Sequence, residues 1–280
     1  MAQTQPFASG NIRQLFAADE PAISQLLHGD RGFGLFIRSN LLSYGFGYNV
    51  SYWGQFHGVT SSEQPHLASL LMIANGSADV FTLPGVDVVP LAQLALRQPL
   101  RFIMGDEQTM LPIEPLTATM TTRHETHRFA ELPAHRFRKQ LPGHGSTVRR
   151  AEKQDVESLT ALYQSASGFE GMPKQRLRKV MHNRVAHLRT YIAEDSDGIA
   201  AAASTSAEDE TGAMLGGVWT HPLRRNRGHC QAVVSALCAN LLSEQKRPHL
   251  FFLRDNSAAE HIYTKLGFRI IGGWKVINFE

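Results

Sequence analysis

The sequence predicts an α+β protein, an α/β sandwich in which helices flank a sheet. The first observation is the order of elements between residues 212 and 279, where apolar runs and turn residues predict strand, turn, helix, strand, helix and strand. The second is a meander just before it, in which strands at residues 188–194 and 199–206 are joined through Asp195-Ser196-Asp197-Gly198. Helices that alternate with strands in this way pack on the faces of a sheet.

The most informative segment is a basic turn between a strand and a helix, which runs from Gly217 to Cys230. The first amides of a helix have no partner inside it, and the helix dipole adds partial positive charge, so a helix start attracts anions. Gly228 lets the backbone turn tightly and approach a ligand, and three arginines stand at the mouth: Arg224, Arg225 and Arg227. The segment therefore predicts a site for a phosphate or pyrophosphate.

The elements after this turn follow from periodicity and capping. The next helix has one apolar face at i, i+3/i+4 spacing, formed by Val233, Val234, Leu237, Cys238, Leu241 and Leu242. Residues 249–253 are typical of a buried strand, and Asp255-Asn256-Ser257 supplies the N-cap of a short helix at residues 258–266. Gly267 ends that helix, and residues 268–279 are the final predicted strand.

Two of these segments match motifs that occur together in one enzyme superfamily. Arg225-Asn226-Arg227-Gly228-His229-Cys230 follows the pattern (Arg/Gln)-x-x-Gly-x-(Gly/Ala), although Cys230 stands where Gly or Ala is usual. Residues 256–268 follow the pattern Asn-x-x-Ala-x-x-x-Tyr-x-Lys-x-Gly-Phe. In this order, and separated by a helix and a strand, they resemble the acetyl-CoA loop and the later motif of the GNAT superfamily of N-acetyltransferases. The resemblance covers residues 146–280 and implies an acetyltransferase-like sheet that is mixed and mostly antiparallel.

The resemblance also implies a cofactor, a reaction and a set of site residues. The cofactor is acetyl-CoA, and its acetyl group passes directly to a primary amine. Tyr263 matches the acid that protonates the departing thiolate, and the backbone of residues 218–220 matches the strand that aligns the pantetheine arm. The cofactor-binding residues implied in this way are Val218, Trp219, Thr220, Arg225, Asn226, Arg227, Gly228, His229, Cys230 and Asn256.

The reaction also needs a base, because an amine with an unperturbed pKa of about 10 is protonated at neutral pH. Residues 212–218, before the basic turn, hold no Asp or Glu, where many relatives place one. The open candidates are a water molecule, Glu170, Glu194, His221 and Glu280. We expect the loop at residues 168–172 to shape the acceptor pocket, where Glu170 is the candidate for attracting a cationic amine. The acceptor itself, a small molecule or a peptide, is not specified by the sequence.

Composition limits the remaining classes of function. The chain has 280 residues, of which 42% are hydrophobic, and a formal net charge of +3 from dispersed charged residues, so a buried core is expected and a nucleic-acid partner is not. Cys230 and Cys238 lie about 12 Å apart along one predicted helix, so we expect reduced thiols in a cytoplasmic protein. Residues 1–10 do not resemble a signal peptide, and no stretch approaches the roughly 20 apolar residues of a membrane helix.

Histidines suggest a metal site at one place only, residues 124–135. His124 and His127 are three residues apart and His135 follows, but no third ligand stands at a recognised spacing and no cysteine is near. We therefore expect no metal cofactor. The oligomeric state is left open.

A Pro- and Gly-rich break at residues 141–146 predicts two domains, residues 1–142 and 146–280. The first half predicts two helices, a three-strand meander with Asn75-Gly76 as a hairpin turn, a further helix and a strand, at residues 19–28, 32–44, 51–57, 67–74, 77–82, 91–97 and 100–104. This order echoes the second half, so we expect two acetyltransferase-like modules in tandem. The first has no Arg-x-x-Gly-x-Gly-like turn and is expected to be non-catalytic.

Two other functions fit the same residues. Without a clear base, the chain can be a non-catalytic sensor or interaction module that binds acyl-CoA. Alternatively it transfers a longer acyl group, which a wide channel beside Gly216-Gly217 would favour. Each motif also has a purely structural interpretation, since the basic turn can be a solvated loop and Tyr263 a core aromatic residue.

Overall fold

The computed structural model describes residues 10–30, 32–47, 49–57, 66–143, 145–166 and 168–279. The chain divides into two compact units: unit 1 comprises Met1–Phe129 and Ile271–Glu280, and unit 2 comprises Ala130–Ile270. These bounds differ from the expected break at residues 141–146 for two reasons. The segment before that break is tied to unit 2, where the Arg138 amide donates to the Leu266 carbonyl and the Gln140 amide to the Ser235 hydroxyl. The last strand of the sequence pairs within unit 1.

The helices and strands of the described residues follow the same order in the two halves of the sequence. The first half forms β1 (Asn11–Leu15), α1 (Glu20–Leu26), α2 (Leu35–Tyr44), β2 (Val50–His57), β3 (His66–Ala74), β4 (Ser77–Thr82), α3 (Val89–Ala95), β5 (Phe102–Asp106), α4 (Glu107–Met110) and β6 (Thr122–Glu131). The second half forms β7 (Thr147–Arg150), α5 (Val156–Tyr163), α6 (Lys174–His187), β8 (Thr190–Asp195), β9 (Gly198–Glu208), β10 (Gly212–Thr220), α7 (His229–Ser243), β11 (Arg247–Leu253), α8 (Ser257–Leu266) and β12 (Arg269–Phe279). The repeated order confirms the predicted tandem arrangement.

Unit 1 contains a mixed sheet with helices on both faces. Its strand order is β1-β2-β3-β4-β5-β12-β6, and the β4–β5 pair is parallel whereas β5 and β12 are antiparallel. Helices α1 and α2 pack on one face, around Ile23 and Leu70, and α3 packs on the other, around Leu91. The hairpin predicted at Asn75-Gly76 joins β3 to β4, with both residues at positive φ.

Unit 2 has the same layers. Its strands lie in the order β11-β10-β9-β8-β7, and only the β10–β11 pair among them is parallel in the described residues. Helices α5 and α6 pack on one face, around Leu159 and Met181, whereas α7 and α8 pack on the other, around Val233 and Leu266. The α+β class with a mixed, mostly antiparallel sheet is thus confirmed in each unit.

Two strands are missing from the sequence prediction. Strand β1 has five residues, and only Leu15 is buried. Strand β6 occupies part of residues 123–138, a polar segment rich in histidine and arginine, and its buried positions begin only at His127. Neither shows the alternation of apolar and polar residues over most of its length that identifies a strand.

Candidate active site

Strand β10 presents an open edge. Its parallel pairing with β11 covers only Gly212–Met214 against Arg247–His249. On the other side, its pairing with β9 shifts register between Gly216 and Trp219, which is the mark of a β-bulge. Within the described residues, the part of β10 after Met214 therefore has backbone N–H and C=O groups that β11 does not pair.

Gly217 lies inside this bulge. Its φ is +58°, a conformation that favours glycine, and its carbonyl accepts a hydrogen bond from the Tyr163 hydroxyl on α5. A Cβ atom at this position would lie 1.8 Å from Nη1 of Arg184 on α6. The bulge therefore favours glycine through its backbone conformation, and a larger residue would also displace the end of the Arg184 side chain. Arg184 could not be predicted as a neighbour of Gly217, because no local pattern in the sequence indicates a contact between α6 and β10.

We expect Gly217→Ala to cost about 1 to 3 kcal/mol of stability, because strain at positive φ adds to the displacement of the Arg184 side chain. Gly168→Ala is the matched control, since Gly168 also has positive φ (+85°) but has no atom within 4 Å of an added Cβ. It should cost only about 1 kcal/mol. Urea unfolding of both variants measures the difference, and equal costs would show that the contact with Arg184 is unimportant.

The turn after β10 leads directly into the N-terminus of α7. A short 3-10 helix, Pro222–Arg224, precedes two residues in the left-handed region, Asn226 (φ +63°) and Gly228 (φ +82°). Gly228 is the N-cap, and no side chain caps the helix. The first intrahelical hydrogen bond of α7 runs from the Ala232 amide to the Gly228 carbonyl. The amides of His229, Cys230 and Gln231 thus face out of the helix end, where they can bind an anion.

The three arginines of the turn have different roles. Arg224 is fixed to the β8–β9 turn, where its guanidinium donates to Asp195 Oδ1 at 2.9 Å and to two backbone carbonyls. Arg225 is exposed and stacks over the Trp219 ring, 5.2 Å from its centroid. Arg227 is also exposed. The guanidinium groups of Arg225 and Arg227 are therefore left for a ligand, whereas Arg224 lines the cleft but is already paired and orients the turn.

His229 contributes to the turn through its backbone. Its side chain is buried, with Nδ1 3.3 Å from the Ser146 hydroxyl and Nε2 3.4 Å from Asp195 Oδ2. Burial lowers the pKa of His229, although the charge of Asp195 opposes the shift. The ring is thus a neutral anchor for the first turn of α7, and Asp195 holds both this ring and Arg224. The sequence shows Asp195 only as a turn residue.

These elements line a cleft of about 810 Å³ in unit 2. Its walls are the end of β10, the basic turn with the start of α7, and one side of α8. Most residues predicted from the motifs line it: Val218, Trp219, Thr220, Arg225, Asn226, Gly228, His229, Cys230, Asn256 and Tyr263. Arg227 is not among the lining residues.

Tyr263 reaches the cleft from α8. Its ring packs between Phe252 and Phe268, at centroid distances of 5.4 and 5.7 Å, and the side chain is almost entirely buried. Burial raises the pKa of Tyr263 well above its usual range. The hydroxyl is therefore protonated at any physiological pH and can act as a proton donor.

Cys230 and Asn256 have structural roles as well. Burial raises the pKa of Cys230 to about 11, although a hydrogen bond with Thr220 opposes the shift, so the residue is a thiol rather than a thiolate at neutral pH. The Asn256 side chain accepts a hydrogen bond from the Ala259 amide at 3.0 Å and caps α8. Cys238 is fully buried on α7, and both cysteines are free.

The candidate bases do not line the cleft. Glu170 is exposed and accepts a hydrogen bond from the Gly168 amide at 2.6 Å. Glu194 is paired with Arg149 at 2.8 Å. His221 Nδ1 accepts from the Leu223 amide at 3.3 Å, and Glu280 lies outside the described residues.

The histidines of residues 124–135 do not meet in a metal-binding geometry. His124 Nε2 lies 3.1 Å from the Thr122 hydroxyl, and His127 Nε2 lies 3.6 Å from Glu125. Over the described ranges, no group of three or more His, Cys, Asp or Glu side chains could hold a metal ion. Among the same residues, no helix is both long and apolar enough to cross a bilayer.

Comparisons with known proteins agree with this geometry. Residues 194–276 match the FR47-like protein family. A GNAT-family acetyltransferase from Colwellia psychrerythraea matches 96% of this chain and 100% of its own, with 14% identity and a TM-score of 0.57. A GCN5-related N-acetyltransferase from Sphaerobacter thermophilus matches 95% of this chain and 94% of its own, with 12% identity and a TM-score of 0.63. No curated protein is significantly similar in sequence.

A third solved structure has the same repeated architecture. It is a tandem GNAT protein from the clavulanic acid biosynthesis pathway, which is 13% identical with a TM-score of 0.59 over 95% of this chain and 97% of its own. The chain therefore has the GNAT fold, in tandem. Its C-terminal region, which contains β10, the basic turn and Tyr263, is FR47-like.

Proposed function

We propose that the protein is an acetyl-CoA-dependent N-acetyltransferase and that unit 2 carries the reaction. One observation supports this most strongly: the uncapped start of α7, the unpaired edge of β10 and the protonated hydroxyl of Tyr263 line a single cleft. Each part answers one need of acyl transfer from CoA. The helix start suits the pyrophosphate, the strand edge suits the amide-rich pantetheine arm, and the tyrosine suits the leaving sulfur.

The residues at the start of α7 fit a pyrophosphate. The amides of residues 229–231 have no intrahelical partner, and Gly228 leaves open space above them, since nothing lies within 4 Å of an added Cβ. Arg225 and Arg227 add charge on the exposed side. Arg224, held by Asp195, keeps the turn in place.

Acetyl-CoA supplies an acetyl group that is activated as a thioester. Within residues 218–220, the amides that face away from β9 are available to bind the pantetheine arm and to donate to the thioester carbonyl. The acceptor amine attacks as the neutral species, and the Tyr263 hydroxyl gives its proton to the sulfur that leaves. The raised pKa of Tyr263 keeps that proton in place until it is needed.

Unit 1 is proposed to be non-catalytic. In the repeat, its segment at residues 83–88, between β4 and α3, corresponds to the basic turn of unit 2. This segment has no arginine, and Asp87 accepts a hydrogen bond from the Val89 amide at 3.0 Å. A carboxylate thus occupies the helix end that an anion would need, and it repels phosphate.

We further propose a cytoplasmic location, since Cys230 and Cys238 are both free thiols, as is usual in a reducing compartment. The acceptor is a small-molecule or peptide amine.

A second function, an acyl-CoA sensor without catalysis, is favoured by one observation: none of the described base candidates lines the cleft.

Calorimetric titration and an acetylation assay distinguish the two functions. We expect acetyl-CoA to bind with a micromolar Kd and amines to release free thiol in its presence. Binding without thiol release from a broad amine panel would favour the sensor. No binding would overturn both.

Replacing Tyr263 with phenylalanine should lower kcat by about 100-fold or more, because the proton donor is lost, while the acetyl-CoA Kd stays within about twofold. Tyr44→Phe, at an exposed position on α2, is the control and should change neither constant. An unchanged kcat in the Tyr263 variant would show that this tyrosine only packs against Phe252 and Phe268.

A further inference from the structure

Among the described residues of unit 2, Arg184 is a partly buried arginine that has no carboxylate partner. It lies on α6, where its guanidinium is close enough to the Tyr163 hydroxyl to oppose the rise that burial causes in the pKa of that tyrosine, while its Nη1 atom is buried with no hydrogen-bond partner. Two neighbouring aromatic rings contact the guanidinium from one side, with the Tyr163 and Phe169 centroids 5.2 and 5.8 Å from its central carbon and 5.7 Å from each other. Nη1 lies against Gly217 of the β10 bulge. Because the rings cover one side only, the N–H groups on the rest of the guanidinium are the part that can bind a ligand.

Other partly buried arginines of unit 2 are neutralised. Arg149 pairs with Asp155 and Glu194, and Arg189 pairs with Glu208 and Glu244. In contrast, within the described ranges no carboxylate lies within ion-pair distance of Arg184. A buried N–H of a charged group costs free energy when it has no hydrogen-bond partner. Binding of an anion to that N–H therefore stabilises the site.

The position of Arg184 relates it to the proposed chemistry. Gly217, which it contacts, is in the bulge of the strand whose amides are proposed to hold the thioester. Phe169, which it stacks on, belongs to the loop at residues 168–172, expected to shape the acceptor pocket. Arg184 is therefore on the face of the sheet that α5 and α6 cover, beside the expected acceptor pocket.

The rest of α6 strengthens the attraction for an anion. The helix has no acidic residue, and its basic residues besides Arg184 are Lys174, Arg176, Arg178 and Lys179. Of these, Arg178 is paired with Glu157, and both of those side chains are largely exposed. A surface of one sign of charge raises the local concentration of ligands of the opposite sign.

We propose that the acceptor is a primary amine that also carries a carboxylate, and that Arg184 binds this carboxylate. The inference rests on the proposed acetyltransferase function. The planar guanidinium matches a carboxylate with two parallel N–H···O bonds, which fixes both the position and the direction of the acceptor. An acceptor without a carboxylate leaves the buried Nη1 unpaired, so the site rejects it.

The reaction leaves the carboxylate unchanged. The amine nitrogen forms a bond to the carbonyl carbon of the acetyl thioester, and the bond between that carbon and sulfur breaks. The nitrogen loses one proton and the sulfur gains one, which gives an N-acetylated carboxylic acid and CoA. Arg184 contacts the acceptor but neither gains nor loses a proton, because its guanidinium stays charged.

Paired acceptors test the proposal. Glycine, β-alanine and leucine are compared with glycinamide, β-alaninamide and leucinamide by thiol release from acetyl-CoA. We expect kcat/KM to favour the carboxylates by about 100-fold or more. Arg184→Met should remove this preference, and Arg184→Lys should keep part of it. Arg178→Met, which removes an exposed basic residue of the same helix, should leave the preference intact.

Acetyl-CoA calorimetry separates this inference from the function on which it rests. Each variant should bind acetyl-CoA as the wild type does, which also shows that it folds. If acetyl-CoA binds but the amides react as well as the acids, or if Arg184→Met keeps the preference, the proposal is wrong. It is also wrong if no carboxylate-bearing amine of the panel either reacts or binds the CoA-loaded protein. Loss of acetyl-CoA binding by the wild type would instead overturn the acetyltransferase assignment.

Discussion

Gly228→Asp is expected to weaken acetyl-CoA binding by at least about 100-fold, which corresponds to roughly 2.7 kcal/mol. The substitution puts a side chain into the open space at the end of α7, and its carboxylate competes with the pyrophosphate for the free amides. The added negative charge also offsets that of Arg225 and Arg227. Isothermal titration calorimetry with acetyl-CoA measures the effect.

Gly29→Asp separates charge at the turn from backbone strain. Gly29 has φ of +75°, close to the +82° of Gly228, and nothing lies within 4 Å of an added Cβ at either position. The two variants should therefore lose similar stability, but Gly29→Asp should bind acetyl-CoA normally. Equal Kd values for the two variants would contradict the assignment of the turn as the pyrophosphate site.

The second large effect concerns Asp79, on β4 in unit 1. This residue is 3% exposed, and its Oδ1 atom has no hydrogen-bond partner in the described residues, like the hydroxyl of nearby Tyr52. Burial raises the pKa of Asp79 from 3.8 to about 8. Between these values the folded state keeps a proton that the unfolded state has released. The contribution of Asp79 to stability is therefore highest below about pH 4 and declines up to about pH 8, by at most about 1.4 kcal/mol per pH unit.

Asp79→Asn should remove that decline, because an amide does not titrate. We expect the variant to exceed the wild type in stability by a growing margin from pH 5 to pH 8. Urea unfolding in a Trp219→Phe background measures it, since Trp53 and Trp274 then report on unit 1. Asp87→Asn, at an exposed position of the same unit, should leave the slope unchanged. Parallel curves for the wild type and Asp79→Asn would show that Asp79 is already ionised in the folded protein.

The parts of the site that lie within one continuous segment could be predicted from the sequence. The uncapped start of α7 follows from Gly228 and the apolar face after it, and the cap of α8 follows from Asn256. The fold class and the tandem repeat follow from the order of the elements, which turn residues such as Asn75-Gly76 mark clearly.

The parts that depend on contacts between distant segments could not be predicted. Arg224 looks like a third phosphate ligand, but its guanidinium is already paired with Asp195 and with two backbone carbonyls. Arg184 has no motif, and its importance depends on packing against Gly217, which only the folded chain shows. The general base could not be predicted for a similar reason, since Glu194 is a plausible candidate until its pairing with Arg149 is known.

Strand β12 gives the molecule an order of assembly that differs from its order of synthesis. It follows unit 2 in the sequence but pairs with β5 of unit 1, and Trp274 in it is 1% exposed, stacked on Phe33 and Phe129. During synthesis, β5 leaves the ribosome long before β12, its neighbour in the sheet, has been made. The nascent first unit therefore waits with an unpaired strand edge, the kind of surface that other chains capture. Folding of the first unit is completed by a strand that is translated after unit 2, so an N-terminal fragment ending near residue 142 lacks part of its own core.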